Sequence, residues 1–127
     1  MVAVAMRARL RSIDTGDDRD WRDVADSVPD PWKAAGVFFA TVGSENSAGG
    51  DLFEVCVATP AAKHLALGSD GNFHGLIIDH MDATSVQTAM KEHIEAVEAD
   101  DWKGLVWELS KFARWEYAGM DTAGEWP

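Results

Sequence analysis

Residues 102–117, WKGLVWELSKFARWEY, decide the fold. At 100° per residue Trp102, Leu105, Val106, Leu109, Phe112 and Ala113 fall on one stripe, while Lys103, Lys111 and Arg114 lie on the other side. A helix apolar along one side must bury that side, and the residues upstream supply strands to bury it against. Asp100 and Asp101 are placed to open this helix, which is expected to run to near Arg114. Trp107 stands about 140° from Trp102 around the helix, off the stripe. It is therefore either covered by another segment, such as one bearing Trp21, Trp32 or Trp126, or exposed as a binding anchor, and the covered arrangement is the expectation.

Upstream, Thr84-x-x-Gln87 has the form of a capping box, with Asp82 as a competing cap, and opens a helix expected to reach about Ala99. Its buried stripe is Val86, Met90, Ile94 and Val97, and His93 falls within it as a core histidine. Phe73–His80 reads as a strand. Thr59-Pro60 reads as an N-cap followed by proline in the first helical position, giving a short helix to about Leu67. Two apolar runs, Val37–Gly43 and Leu52–Thr59, flank the turn-forming loop Ser44–Asp51 and form a hairpin. In the second run Phe53, Val55 and Val57 share a face, leaving Glu54 and Cys56 on the other.

Residues 2–13 alternate, with Val2, Val4, Met6, Ala8 and Leu10 facing one way and Arg7, Arg9 and Arg11 the other. If one face of the sheet is open, the arginines share it with Glu54 and pair across strands. Residues 14–36 hold seven acidic groups and two proline breaks, with a short helix at about Trp21–Ala25. The order is β, β, β, short helix, β, α, α. This is an α+β fold: an antiparallel sheet of about four strands with two C-terminal helices packed on one face. It forms one domain over residues 1–120, followed by a tail at 121–127.

A chain of 127 residues, 46% of them hydrophobic, buries roughly two thirds of its unfolded surface and needs no disulfide or metal staple. Its one cysteine, Cys56, has no internal partner and fits a reducing compartment. The start MVAVAM is too short for a signal-peptide core, and no apolar run approaches the 18 or so residues of a spanning helix. A net charge of −11 repels nucleic-acid phosphates and anionic lipids. It fits a basic protein partner, but a surface acidic only for solubility is given the larger weight. The chain is read as a monomer or weak homodimer in the cytoplasm.

No catalytic spacing stands out. His74 and His80 are roughly 20 Å apart along one strand, too far to share a metal ion, and Cys56 has no basic neighbour to lower its thiol pKa. P-loop, dinucleotide, G-x-S-x-G and H-E-x-x-H motifs are absent, so no catalytic residue, cofactor or metal is assigned. Tryptophans and acids interleave over 17–32 and 115–126, a mixture suited to binding protein, with aromatics as anchors and charges for steering.

The run DLFEVCVATP at 51–60, then GLIIDH, then LSKFARWEYAGM resembles the immunity protein 8 family of bacterial polymorphic-toxin systems. Phe53, Val55, Val57, Thr59 and Pro60 match a strand of the form F-x-V-x-V-x-T-P, and Leu109, Phe112, Trp115, Glu116 and Tyr117 match the end of the last helix. Family members often place a further aromatic and acids after W-E, where this chain has Ala118-Gly119 beyond Tyr117. The resemblance implies a cytoplasmic α+β protein that binds and neutralises a cognate toxin domain without catalysis. Trp21, Trp32 and Trp107 are the expected toxin-binding anchors, with Asp17, Asp18, Asp20 and Asp23 supplying steering charge. The alternatives are a small-molecule-binding regulatory module and a small enzyme.

Overall fold

The computed structural model describes residues 5–117. The elements are β1 (Met6–Asp14), α1 (Trp21–Asp26), β2 (Ala35–Ser44), β3 (Asp51–Ala58), a 3-10 helix (Pro60–Ala66), β4 (Leu76–Ile77), α2 (Ala83–Glu95), β5 (Glu98–Ala99), α3 (Trp102–Leu109) and β6 (Arg114–Trp115). The sheet order is β4-β3-β2-β1-β5, with β6 also on β3. The fold is α+β as expected, with more strands than the four expected and a mixed sheet. The segment between β3 and β4 carries the chain back across the sheet, so Leu76 and Ile77 run parallel to Val57 and Ala58. The expected tail at 121–127 lies outside the described residues.

Alternation within the hairpin sends Phe38, Ala40 and Val42 of β2 and Phe53, Val55 and Val57 of β3 to one face. There they are buried against Val86, Met90 and Ile94 of α2 and Leu105, Val106 and Leu109 of α3. In β1 the alternation is not unbroken. The register slips between Leu10 and Ser12, which places Arg11 as an extra residue. This bulge resets the parity, so that Ala8 and Ile13, one at an even and one at an odd position, both face the core.

Each α-helix is capped at its N-terminus by an aspartate. Asp20 accepts from the Arg22 N–H, Asp82 from Ser85 at 2.6 Å, and Asp101 from Gly104 at 2.8 Å. Both long helices end earlier than their apolar pattern predicts. After α2, Glu98 and Ala99 pair with Arg7 and Met6, because the unpaired edge of β1 offers a full set of hydrogen bonds. After α3, the Ser110 hydroxyl donates to the Val106 carbonyl at 2.6 Å, the chain turns, and Arg114 and Trp115 join β3. The W-E pair is thus a strand clasp: the Trp115 indole donates to Asp51, and Glu116 accepts from the Leu52 N–H at 2.8 Å.

Thr59 occupies the expected cap position, but its hydroxyl does not cap the 3-10 helix. The fully buried side chain accepts from the Ala34 N–H at 3.1 Å, tying the end of β3 to the chain entering β2. Thr59→Val keeps the shape and strands that buried donor. It should lower stability in urea unfolding by about 1–3 kcal/mol. Thr59→Ser keeps the acceptor and should cost only about 1 kcal/mol for its lost methyl.

Candidate functional site

The helices cover one face of the sheet. On the other, cross-strand pairing arranges the outward residues in rows: Ser12, Thr41 and Leu52; then Asp14, Phe39, Glu54 and Arg114; then Val37 and Cys56. Ile77 of β4 continues the same face. Apolar side chains stand among the polar ones in these rows because β2, VFFATV, carries apolar residues at both parities, a pattern normally found in strands buried on both sides. Here Val37 is 46% exposed, Leu52 40% and Ile77 42%, with Phe39 and Cys56 half-buried.

An acidic loop borders these rows. Gly16 has φ +85°, and a Cβ there would stand 2.8 Å from the Phe39 ring, so its lack of a side chain lets the loop lie against Phe39. Asp17 is held at about 2, chiefly by its hydrogen bond with the Arg19 guanidinium, and its charge is matched by that partner. Asp14 and Asp18 are exposed and form no ion pair among the described residues. Glu54 is half-buried and also unpaired there, although Arg114 lies across from it on β6.

A cavity of about 330 Å³ opens where β4 and β6 leave the edge of β3 uncovered between them, lined by Glu54, Cys56, His74, Phe112, Arg114 and Trp115. It is not a nucleophilic centre. Burial, and then the Glu54 charge, push the Cys56 thiol up, and the His74 imidazole is held by Asp70 at 2.7 Å. No group of three His, Cys, Asp or Glu side chains able to hold a metal is assembled among the described residues.

The residues singled out in the sequence are scattered. Trp21 is buried, 7% exposed, edge-on to Phe38 with the Arg22 guanidinium 4.9 Å from its ring, because it begins α1 and fills the gap between that helix and β2. It is a core residue and has no surface to offer. Trp32 is 65% exposed beside His80, in the chain that leads into β2. Trp107 is 46% exposed on the outer side of α3, and Trp21 and Trp32 pack elsewhere; Trp126, the other residue expected to cover it, lies outside the described residues. Asp20 is engaged as the α1 cap, while Asp18 and Asp23 face solvent. His93, expected in the core, is exposed, its Nδ1 2.8 Å from the Ala89 carbonyl.

The arginines of β1 do not pair with Glu54. Arg7 meets Glu98, Arg9 meets Glu45 and Glu95, and Arg11 donates to the Ser44 and Ser47 carbonyls, because β1 turns these residues toward the opposite end of the sheet from Glu54. The sequence reading missed Val37, Phe39, Leu52 and Ile77 as a surface. Their signal was present in the two-sided apolarity of β2, which alternation alone would not produce.

With its pKa raised, Cys56 should react with a maleimide more slowly than a free thiol at neutral pH, and the rate should climb at higher pH than usual. Glu54→Gln removes the repelling charge and should speed the reaction at pH 7. An unchanged rate would separate Glu54 electrostatically from Cys56.

No helix among the described residues is long and apolar enough to cross a membrane. No curated protein and no solved structure matches the chain. A family model described as immunity protein 8 matches residues 8–119, which takes in every described strand and helix except the first two residues of β1. That span includes β3 (Asp51–Ala58), Thr59 and the W-E clasp, and the chain belongs to the immunity protein 8 family.

Proposed function

We propose that this chain is an immunity protein: it binds a cognate toxin domain in the cytoplasm and holds it inactive, with no catalysis of its own. Family membership over residues 8–119 carries the reading. The surface supports it. Exposed indoles at Trp32 and Trp107 are suited to anchoring a protein partner, and Asp18 and Asp23 remain available for steering, with Asp17 and Asp20 partly spent on Arg19 and the α1 cap. A standard interface of about 1,600 Å² suffices for tight binding when a few anchors are well placed. The net charge of −11 suits a basic toxin domain.

The test is co-expression with the toxin domain encoded beside it, reading host survival and co-purification together. Survival with a stable complex is expected. Death without a complex overturns the pairing and moves a small-molecule role for the cavity beneath β6 to the front.

Two quantities follow for the purified complex. The association rate should fall at least about tenfold between low salt and physiological salt, since a Debye length of about 8 Å then screens the acidic surface. A flat rate would remove electrostatic steering. Alanine at Trp32 or at Trp107 should raise the dissociation rate about tenfold or more at one or both sites; if neither variant dissociates faster, both indoles lie outside the interface.

A further inference from the structure

The uncovered face of the sheet bears on where the partner sits, an inference that rests on the immunity reading above. Three independent observations meet there. The strand β2 carries apolar residues on both faces, yet the helices cover one, leaving Val37, Leu52 and Ile77 between 40% and 46% exposed around Phe39 and Cys56. The loop packs on Phe39 through Gly16 and carries Asp18 two residues further on, and Asp14 lies within the rows. Glu54, at the centre, is a half-buried carboxylate with no ion pair among the described residues. Arg114 stands across from it on β6 without forming an ion pair among the described residues, so an arriving cation finds this carboxylate unpaired.

Trp32 stands at one end of this sheet, with its ring 5.1 Å from His80 just before α2, and is not among the open-face residues. β1 ends at Asp14, β2 begins at Ala35 and β3 ends at Ala58, all at the same end of the sheet, and Trp32 precedes β2 there with 65% of its surface exposed. Trp107, on the outer side of α3, belongs to the other layer.

We infer that the toxin domain docks on this open sheet face, presenting apolar side chains to Val37, Phe39 and Leu52 and basic side chains to Asp14, Asp18 and Glu54. A second copy of the chain fits poorly. Two copies face to face would oppose the same acidic border, with each molecule at −11.

Cys56 makes the face measurable without any substitution, since it is the one thiol in the chain and lies in the rows. In the complex of the full chain with its toxin domain, maleimide labelling of Cys56 should slow at least about tenfold relative to the free chain, as expected for a side chain buried in a specific interface. Val37→Glu, which places a third carboxylate in these rows, should weaken binding about 100-fold or more, as loss of a central anchor does. Thr88→Glu adds the same charge on the exposed side of α2 and should change affinity less than about threefold, provided circular dichroism shows both variants folded.

A stable complex in which Cys56 labels at the free rate and Val37→Glu binds as wild type overturns the inference while leaving the immunity reading intact. Labelling that slows with chain concentration alone, before toxin is added, assigns the face to a homodimer and also overturns it. Failure of the wild-type chain to bind the toxin or protect the host removes both together.

Discussion

Strand β3 pairs with β2 along its whole length and with β4 and β6 at its two ends, so three separate parts of the chain depend on its register. Its alternation is strict. Phe53, Val55 and Val57 are each at most 1% exposed, and truncating one such side chain typically costs several kcal/mol because the cavity cannot collapse. A slip by one residue would turn all three outward and bring Glu54 and Cys56 into the core. Pinning that register is therefore the first requirement of the fold. The clasps around β3 do it from both ends: Asp51 and Leu52 through Trp115 and Glu116, and Thr59 through Ala34. The F-x-V-x-V-x-T-P and W-E motifs of this family occupy these positions, which accounts for them without any contact to a partner.

How far the sequence discloses this depends on whether a segment's structure is local. The starts of α2 and α3 were legible because an aspartate cap acts within three residues, as at Asp82 and Asp101. Their ends were not. Glu98–Ala99 and Arg114–Trp115 have helical pattern and adequate propensity, but strands distant in sequence offer them hydrogen bonds that a frayed last turn lacks. The bulge at Arg11 is invisible to a two-residue period, and the parallel pairing of β4 depends on a crossover whose path no local pattern sets. Trp21 shows the same limit from the other side: set among aspartates it reads as a surface indole, and only the packing of α1 against Phe38 puts it in the core.

For the candidate site, residue types were more legible than their arrangement. The acidic segment and the exposed indole of Trp32 stand out in the sequence, whereas the open face is a property of topology: nothing along β2 says which of its two apolar sides the helices will take. The charges show why counting acids overstates steering. Arg19 matches Asp17, and Asp20 is spent on a helix end, so the acids left for the open face are Asp14, Asp18 and Glu54, set against Arg114 in the same row, rather than the run as a whole.

An apolar sheet face broad enough to hold a partner is also broad enough to stick to itself, and edge-rich β structure makes that hazard worse. The net charge of −11 offers a way through. Like-charged copies repel before their apolar rows can meet, whereas a basic domain is drawn to the same border, so one charge pattern both rejects the wrong partner and accelerates the right one. The two effects share a range of about 8 Å at physiological salt, which ties the solubility of the free protein to the speed with which it is captured. On this account the acidity is not a property added to a binding surface. It is what allows the surface to stay uncovered until the partner arrives.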